Sequence, residues 1–313
     1  MSLTKLLAGS ALVLAATVAP GLAKDLNKIG ISLGSMGNPF FVALAKGAET
    51  EAKTINPDVE VLTFGYDYDI GKQFSQIDNF IASGVDLILL NPADPNALKP
   101  AIAKAQAAGI VVVAVDTFAD GADAVVQTNN TQAGEIACKY IADKIGGEGN
   151  VVIINGPQVS SVTERVKGCK EVFAQSPGIT ILSDDQDGKG SRDGGMNVMQ
   201  GMLTRFDDIK GVFAINDPEA IGADLAAKQM NRSGMVITSV DGAPDAEAAL
   251  KAENATQFEA SASQDPYTMA QLAVRAGNQI LQGEAPAEQV QLMDSSLVTR
   301  ENVADYKGWE AER

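Results

Sequence analysis

The sequence predicts an α/β protein built on two doubly wound parallel sheets. Three observations carry that expectation. Short β-branched runs alternate with longer amphipathic stretches along nearly the whole chain, a βαβα pattern. Some of these runs are apolar without interruption, as in Leu87-Ile88-Leu89-Leu90, which suits parallel strands covered on both faces. The chain has 313 residues, a length that two such sheets fit better than one.

Strands are expected at Lys28–Leu33, Val59–Phe64, Leu87–Leu90, Ile110–Val115 and Val151–Ile154, and then at Ile179–Leu182, Gly211–Ile215, Met235–Val240 and Phe258–Ser261. After the first strand, Phe40–Lys53 reads as a helix because Phe41, Leu44, Ala48 and Ala52 recur on one face. Asn38 is a preferred N-cap and Pro39 is pre-organised for the first helical position. At least one of Phe40 and Phe41 then sits at the carboxyl edge of the first strand, where open α/β sheets bind ligands, and the other is a core residue. The polar cluster Thr128-Asn129-Asn130-Thr131 falls between an edge strand and the next helix, near the point where one domain gives way to the other. Thr131–Ile145 and Ser161–Phe173 read as helices, and each carries one cysteine.

The first residues read as an address. Lys5 precedes an apolar run from Leu6 to Val18, Pro20-Gly21 breaks it, and Gly21 and Ala23 supply the small residues of a cleavage site. The run is much shorter than the roughly 20 residues that span a bilayer. A secretory signal peptide over residues 1–23 is therefore expected, with an exported mature chain from Lys24. The oxidising compartment of an exported chain permits a bridge between Cys138 and Cys169; two buried thiols are the other arrangement open to them.

Composition removes whole classes of function. There is no histidine, so no Ser-His-Asp or Cys-His nucleophile and no His-ligated metal can exist here. With 24 Lys+Arg against 40 Asp+Glu the net charge is −16, which disfavours a nucleic-acid surface. No P-loop, GxSxG or metal-ligand spacing is present, so neither an enzyme, a cofactor nor a metal is expected.

Seven short motifs then occur in order: Gly37-Asn38-Pro39-Phe40-Phe41, Leu90-Asn91-Pro92-Ala93-Asp94, Val115-Asp116, Glu164-Arg165-Val166-Lys167-Gly168, Ala214-Ile215-Asn216-Asp217, Val240-Asp241-Gly242 and Ser263-Gln264-Asp265-Pro266. In this set the chain resembles the periplasmic sugar-binding proteins of bacterial ABC importers, the ribose- and galactose-binding group with the type I periplasmic binding protein fold. The resemblance runs from about Lys28 to Val298. It implies two Rossmann-like lobes joined by three crossovers, near Thr128–Asn130, Ser263–Gln264 and Asp294–Ser296. The N-terminal lobe would comprise 24–128 plus 265–294, and the C-terminal lobe 129–264 plus 295–313. It also implies a monomer that closes on a small sugar or polyol by hinge motion and delivers it to a membrane permease. A sensory receptor for chemotaxis or signalling would use the same fold. As a remote alternative, Asp116 and Asp241 would be the paired acids of a glycosidase.

The matched positions have suitable chemistry for hydroxyls. Asp116 and Asp241 would accept charge-assisted bonds from hydroxyl pairs, and Arg165 would donate a planar fork while offsetting two buried carboxylates. Asn38, Asn91, Asn216 and Gln264 offer both donors and acceptors, and Phe40 or Phe41 an apolar wall. For Asn38 and Asn91, plain capping and turn roles compete with ligand contact. Three positions depart from the ribose-type pattern: Thr117 stands where an arginine is found, Gly190-Ser191 where an aromatic wall is expected, and Val240 where close relatives carry an aromatic. The expectation is a pocket with less flat aromatic surface, suited to a sugar alcohol or an uncommon small sugar. Since unperturbed Asp, Asn, Gln and Arg do not titrate between pH 5 and 8, binding is expected to be nearly flat there.

Overall fold

The computed structural model describes residues 23–252, 256–286 and 288–309, so the expected leader lies outside the described residues up to residue 22. In chain order the elements are β1 (Lys28–Leu33), α1 (Pro39–Ile55), β2 (Glu60–Gly65), α2 (Ile70–Ala82), β3 (Leu87–Leu90), α3 (Lys99–Ala107), β4 (Val111–Val115) and β5 (Ala124–Thr128). Then come α4 (Asn130–Lys144), β6 (Glu148–Asn155), α5 (Ser160–Ala174), β7 (Gly178–Asp187), α6 (Arg192–Arg205), β8 (Gly211–Ala214) and α7 (Asp217–Gln229). The chain ends with β9 (Val236–Asp241), α8 (Pro244–Lys251), β10 (Phe258–Ser263), α9 (Pro266–Leu281), β11 (Val290–Met293) and β12 (Leu297–Thr299).

These strands form two six-stranded sheets, ordered β11-β5-β4-β3-β1-β2 and β12-β10-β9-β8-β6-β7. Every pairing is parallel except β10 with β12. The alternation of side chains along a strand divides each core in two. In β3, Leu87 and Leu89 join α1 and α9 on one face, while Ile88 and Leu90 join α2 and α3 on the other. In β6, Val151 and Ile153 pack toward α4 and α5, and Val152 and Ile154 toward α6 and α7. The continuous apolar runs in the sequence are the signature of that double cover.

The chain passes between the sheets three times. It leaves the first after β5, and returns after β10 into α9, whose Met269 and Ala273 belong to the first sheet's core. It crosses a third time between β11, which pairs with β5, and β12, which pairs with β10. The tail then reaches back. Val303 packs in the second sheet's core, but Trp309 lies against Phe40 of α1 with ring centroids 5.8 Å apart. Its indole Nε1 donates to the Gln264 carbonyl at 2.9 Å.

Four strands differ from the sequence reading. β7 runs to Asp187, well past Leu182, through Ser183-Asp184-Asp185-Gln186. It is the outermost strand of its sheet, so polar side chains there meet water, and no hydrophobic run marks it. The strand ending at Thr128 is not an edge, because β11 covers it. β11 and β12 are only 4 and 3 residues long and draw their order from the strands they join, not from a local pattern.

Helices α4 and α5 approach unusually closely, through glycine on both sides. A Cβ on Gly134 would lie 2.0 Å from the Arg165 carbonyl oxygen, and one on Gly168 would lie 2.1 Å from the Thr131 carbonyl oxygen. At this contact the sulfurs of Cys138 and Cys169 stand 1.99 Å apart, with their Cα atoms 5.1 Å apart. The enclosed loop spans a sequence separation of 31, for which the chain-entropy model gives about 3–4 kcal/mol of stabilisation. Opening the link in Cys138→Ser/Cys169→Ser should lower urea-unfolding stability by that order, and unreduced wild-type protein should titrate no thiol. Two free thiols in the native protein would contradict the pairing.

Candidate functional site

The carboxyl ends of both sheets face one cleft. It leaves about 490 Å³ free of protein atoms, solvent at its opening included. All nine residues singled out in the sequence line it: Asn38, Phe40, Phe41, Asn91, Asp116, Arg165, Asn216, Asp241 and Gln264.

Asp116 follows β4 and Asp241 ends β9, so the two sheets contribute a carboxylate each from corresponding strands. Both sit at positive φ, 67° and 140°, a conformation few non-glycine residues adopt and one often found where function fixes a side chain. Asn91, at the end of β3, holds Asp116 in place. Its Nδ2 donates to Asp116 Oδ2 at 2.9 Å and to Thr117 Oγ1 at 3.0 Å, and its Oδ1 accepts from the Tyr66 hydroxyl at 3.2 Å. With both ends of its amide engaged, Asn91 shapes the site through its neighbours. Asp116 Oδ1 accepts no hydrogen bond from the described residues.

Arg165 is 4 % exposed, on the face of α5 that the close α4 contact fixes. Its Nε donates to Asn130 Oδ1 at 2.9 Å and its Nη1 to the Ile215 carbonyl at 2.8 Å, which turns the guanidinium to within 3.6 Å of Asp241 Oδ1. Gln264 sits at the second crossover and ties three elements together. Its Oε1 accepts from Thr128 Oγ1 at 2.7 Å, and its Nε2 donates to Asp241 Oδ1 at 2.7 Å.

Asn38 and Asn216 are both helix caps. Asn38 Oδ1 accepts from the Phe40 amide at 2.9 Å, and Asn216 Oδ1 from the Glu219 amide at 3.1 Å. Capping and cleft lining are thus one role at these positions, since helix N-termini and strand ends meet at the same sheet edge. Asn216 Nδ2 also donates to the Gly190 carbonyl at 3.1 Å, and Glu219 Oε1 accepts from the Gly190 amide at 2.7 Å, which pins the loop before α6.

Burial changes the electrostatics that the sequence suggested. Desolvation pushes the Asp116 carboxyl up to about 7, against the opposing pull of Arg165, and Asp241 adds to the rise. Asp241 is raised from the same first cause, with Arg165 and Gln264 resisting. Behind it, Asp217 is raised by burial and by Asp241, although Ser239, Ser261 and the Ala243 amide all donate to it. The premise of pH-independent binding, unperturbed side chains, therefore does not hold at Asp116, whose carboxyl is brought between pH 5 and 8.

Two expectations about aromatics are also corrected. Both Phe40 and Phe41, perpendicular at 5.4 Å between centroids, line the cleft and belong to the core of the first sheet, so neither is core alone. The cleft is not short of flat surface either: Tyr66 and Tyr68, just beyond β2, line it too. Neither belongs to the seven motifs, although two tyrosines immediately after a strand and before the Asp69 cap of α2 are a usable signal. Val159, Ser161 and Val162 at the start of α5 were likewise missed and complete the wall beside Arg165. Thr117 lines the cleft as a neutral hydroxyl bonded to Asn91. Among the described residues no cluster of three or more metal-ligating side chains occurs, and no helix is long and apolar enough to cross a membrane.

Comparison with known proteins agrees with this geometry. The family model of the periplasmic binding protein domain matches residues 29–285. The ribose import binding protein of Bacillus subtilis is 35% identical over 260 residues, covering 82% of each chain. A xylitol-binding protein of Mycolicibacterium smegmatis is 34% identical over 231 residues, 72% of this chain and 65% of that one. Among solved structures, an ABC transporter solute-binding protein from Bacillus halodurans with bound myo-inositol superposes with a TM-score of 0.82 at 25% identity, covering 92% of this chain and 99% of that one. The chain, with two parallel sheets, three crossovers and a polar cleft between them, belongs to the periplasmic binding protein family of ABC-importer solute receptors.

Proposed function

We propose that this chain is a periplasmic receptor that takes a small sugar or sugar alcohol into the cleft and presents it to the permease of an ABC importer. The observation that carries the reading is the pair of buried carboxylates, Asp116 and Asp241, one from each sheet, that line one cleft with the Arg165 guanidinium, 3.6 Å from Asp241 and close enough to act on Asp116. Such a set accepts hydroxyl hydrogens from two directions and donates to a hydroxyl or ring oxygen between them, while Phe40 and Phe41 cover C–H surface. The relatives named for ribose and xylitol and the neighbour holding myo-inositol support a polyhydroxylated ligand. In this reading residues 1–23 are removed on export. The lobes are 24–128 plus 265–294 and 129–264 plus 295–313, with the tail's Trp309 docked on the first lobe, and the monomer works by hinge closure without catalysing a reaction.

Ligand identity is tested directly by mass spectrometry of the compound released when freshly purified protein is unfolded, followed by a thermal-shift panel of pentoses, hexoses and polyols. Polyols or uncommon sugars should stabilise the protein; stabilisation by ribose alone would contradict the polyol reading, and no response to any member would remove the function.

Two further outcomes follow from the charges. Asp241→Ala should weaken binding by about 1.5–3 kcal/mol, roughly ten- to a hundred-fold in Kd, through loss of a charge-assisted bond. An unchanged Kd by calorimetry would take Asp241 out of the site. A ligand that donates to Asp116 needs it ionised, so binding expels the proton held by the empty site. Affinity should then rise from pH 5 to about 7 and level off above, by at most about tenfold per pH unit for this one group. Stability of the empty protein runs the other way. The folded pKa lies above the unfolded one, so stability falls as pH rises from about 4 to about 7. Asp116→Asn should flatten both profiles; profiles that survive it would assign the titration elsewhere.

A further inference from the structure

A second space of about 1180 Å³, solvent included, adjoins the cleft and is lined from both lobes by residues such as Pro39, Arg192 and Pro244. Among the described residues, four line both spaces: Asn38, Tyr68, Gly190 and Asp241. Tyr68 is the only aromatic of the four. It comes from the first lobe, yet a Cβ built on Gly190 of the second would stand 3.9 Å from its hydroxyl, so the phenol reaches across the cleft to the opposing loop. The ring edge-packs on Tyr66 at 6.0 Å between centroids. Its phenol is pushed up by burial and then by Asp116 and Asp241, which places it in the field of both carboxylates.

The backbone beneath it is built for that reach. Asp67 and Tyr68 are consecutive non-glycine residues at φ 53° and 61°, a costly left-handed pair that persists only where its surroundings over-determine it. The surroundings do so. The Asp67 amide donates to the Gly34 carbonyl at 2.6 Å, the Asp67 carboxylate accepts from Lys72 Nζ at 2.7 Å, and the Asp69 amide donates to the Tyr66 carbonyl at 3.0 Å. What the turn delivers is one aromatic ring at the boundary between two spaces.

We propose that Tyr68 is the specificity-determining wall of the site, closing the inner cleft after one monosaccharide-sized unit and keeping the ligand out of the adjoining space. The assignment rests on the reading of the chain as a sugar or polyol receptor and sharpens it to ligands of a single unit, cyclic or acyclic, against disaccharides and their alditols.

The test is calorimetric titration of full-length mature protein with xylitol, sorbitol, myo-inositol, ribose and the disaccharide alditol maltitol, on wild type, Tyr68→Gly and Tyr68→Phe. Glycine suits φ 61°, so Tyr68→Gly removes the wall while relieving the backbone, and the ligand-free variant should melt no lower than wild type. Wild type should bind its best one-unit ligand and leave maltitol unbound. In Tyr68→Gly that affinity should fall on the order of tenfold while maltitol binding appears, and Tyr68→Phe should keep the wild-type selectivity for size. A one-unit to two-unit preference unchanged in Tyr68→Gly, or wild type that binds maltitol as tightly as the one-unit ligands, overturns the wall and leaves the receptor reading standing. Tyr68→Phe behaving as Tyr68→Gly also overturns it, assigning the effect to the hydroxyl. Wild type that binds no member of the panel defeats the receptor reading, and the wall with it.

Discussion

A single buried guanidinium organises the site. Removing a charge from water is expensive, and Arg165 is removed almost completely, as are Asp116 and Asp241. The three persist because each is held by polar partners: Arg165 by Asn130 and the Ile215 carbonyl, Asp116 by Asn91, Asp241 by Gln264. The balance is uneven, with one cation against two acids and a third, Asp217, behind them, and the raised carboxyls express that excess. A polyhydroxylated ligand of the kind proposed offers these acids further donors without adding charge. The glycine contact between α4 and α5 belongs to the same arrangement, since a side chain at Gly134 would meet the backbone of Arg165 itself.

Selectivity and motion share residues here. Gln264 lies on a crossover and touches both Thr128 of another crossover and Asp241 of the cleft, so a change of angle between the lobes must alter how an acid of the site is held. Phe40 faces the cleft on one side and Trp309 on the other, which places the end of the chain one ring away from the ligand space. The joints of the molecule are thus in contact with its chemistry.

Much of this was readable in the sequence, for physical reasons. Apolar runs such as Leu87–Leu90 report a strand buried on both faces, and Asn38-Pro39 reports a helix start, because those constraints are local. The site residues were legible through the motifs that carry the family resemblance, and Asp116, Asn216 and Asp241 do lie at strand ends and a helix cap. What was not legible depends on partners distant in the chain. β11 and β12 exist by pairing with β5 and β10, β7 hides its last residues among polar side chains, and Tyr68 matters only because Gly190 lies opposite. The carboxyl shifts were also out of reach, since they come from burial and composition records charge alone.

The threading of the chain has a consequence for its synthesis. Among the described residues β11 and β12 are the last strands in chain order, and each adds an outer strand to a sheet begun before it. Neither lobe has its full set of strands until residues 290–299 have been made, because β5 and β10 wait that long for their outer partners. Contacts so far apart in sequence also form slowly. A chain laced in this way holds back the completion of both sheets until β11 and β12 have been made, which suits a polypeptide proposed to cross a membrane before it folds.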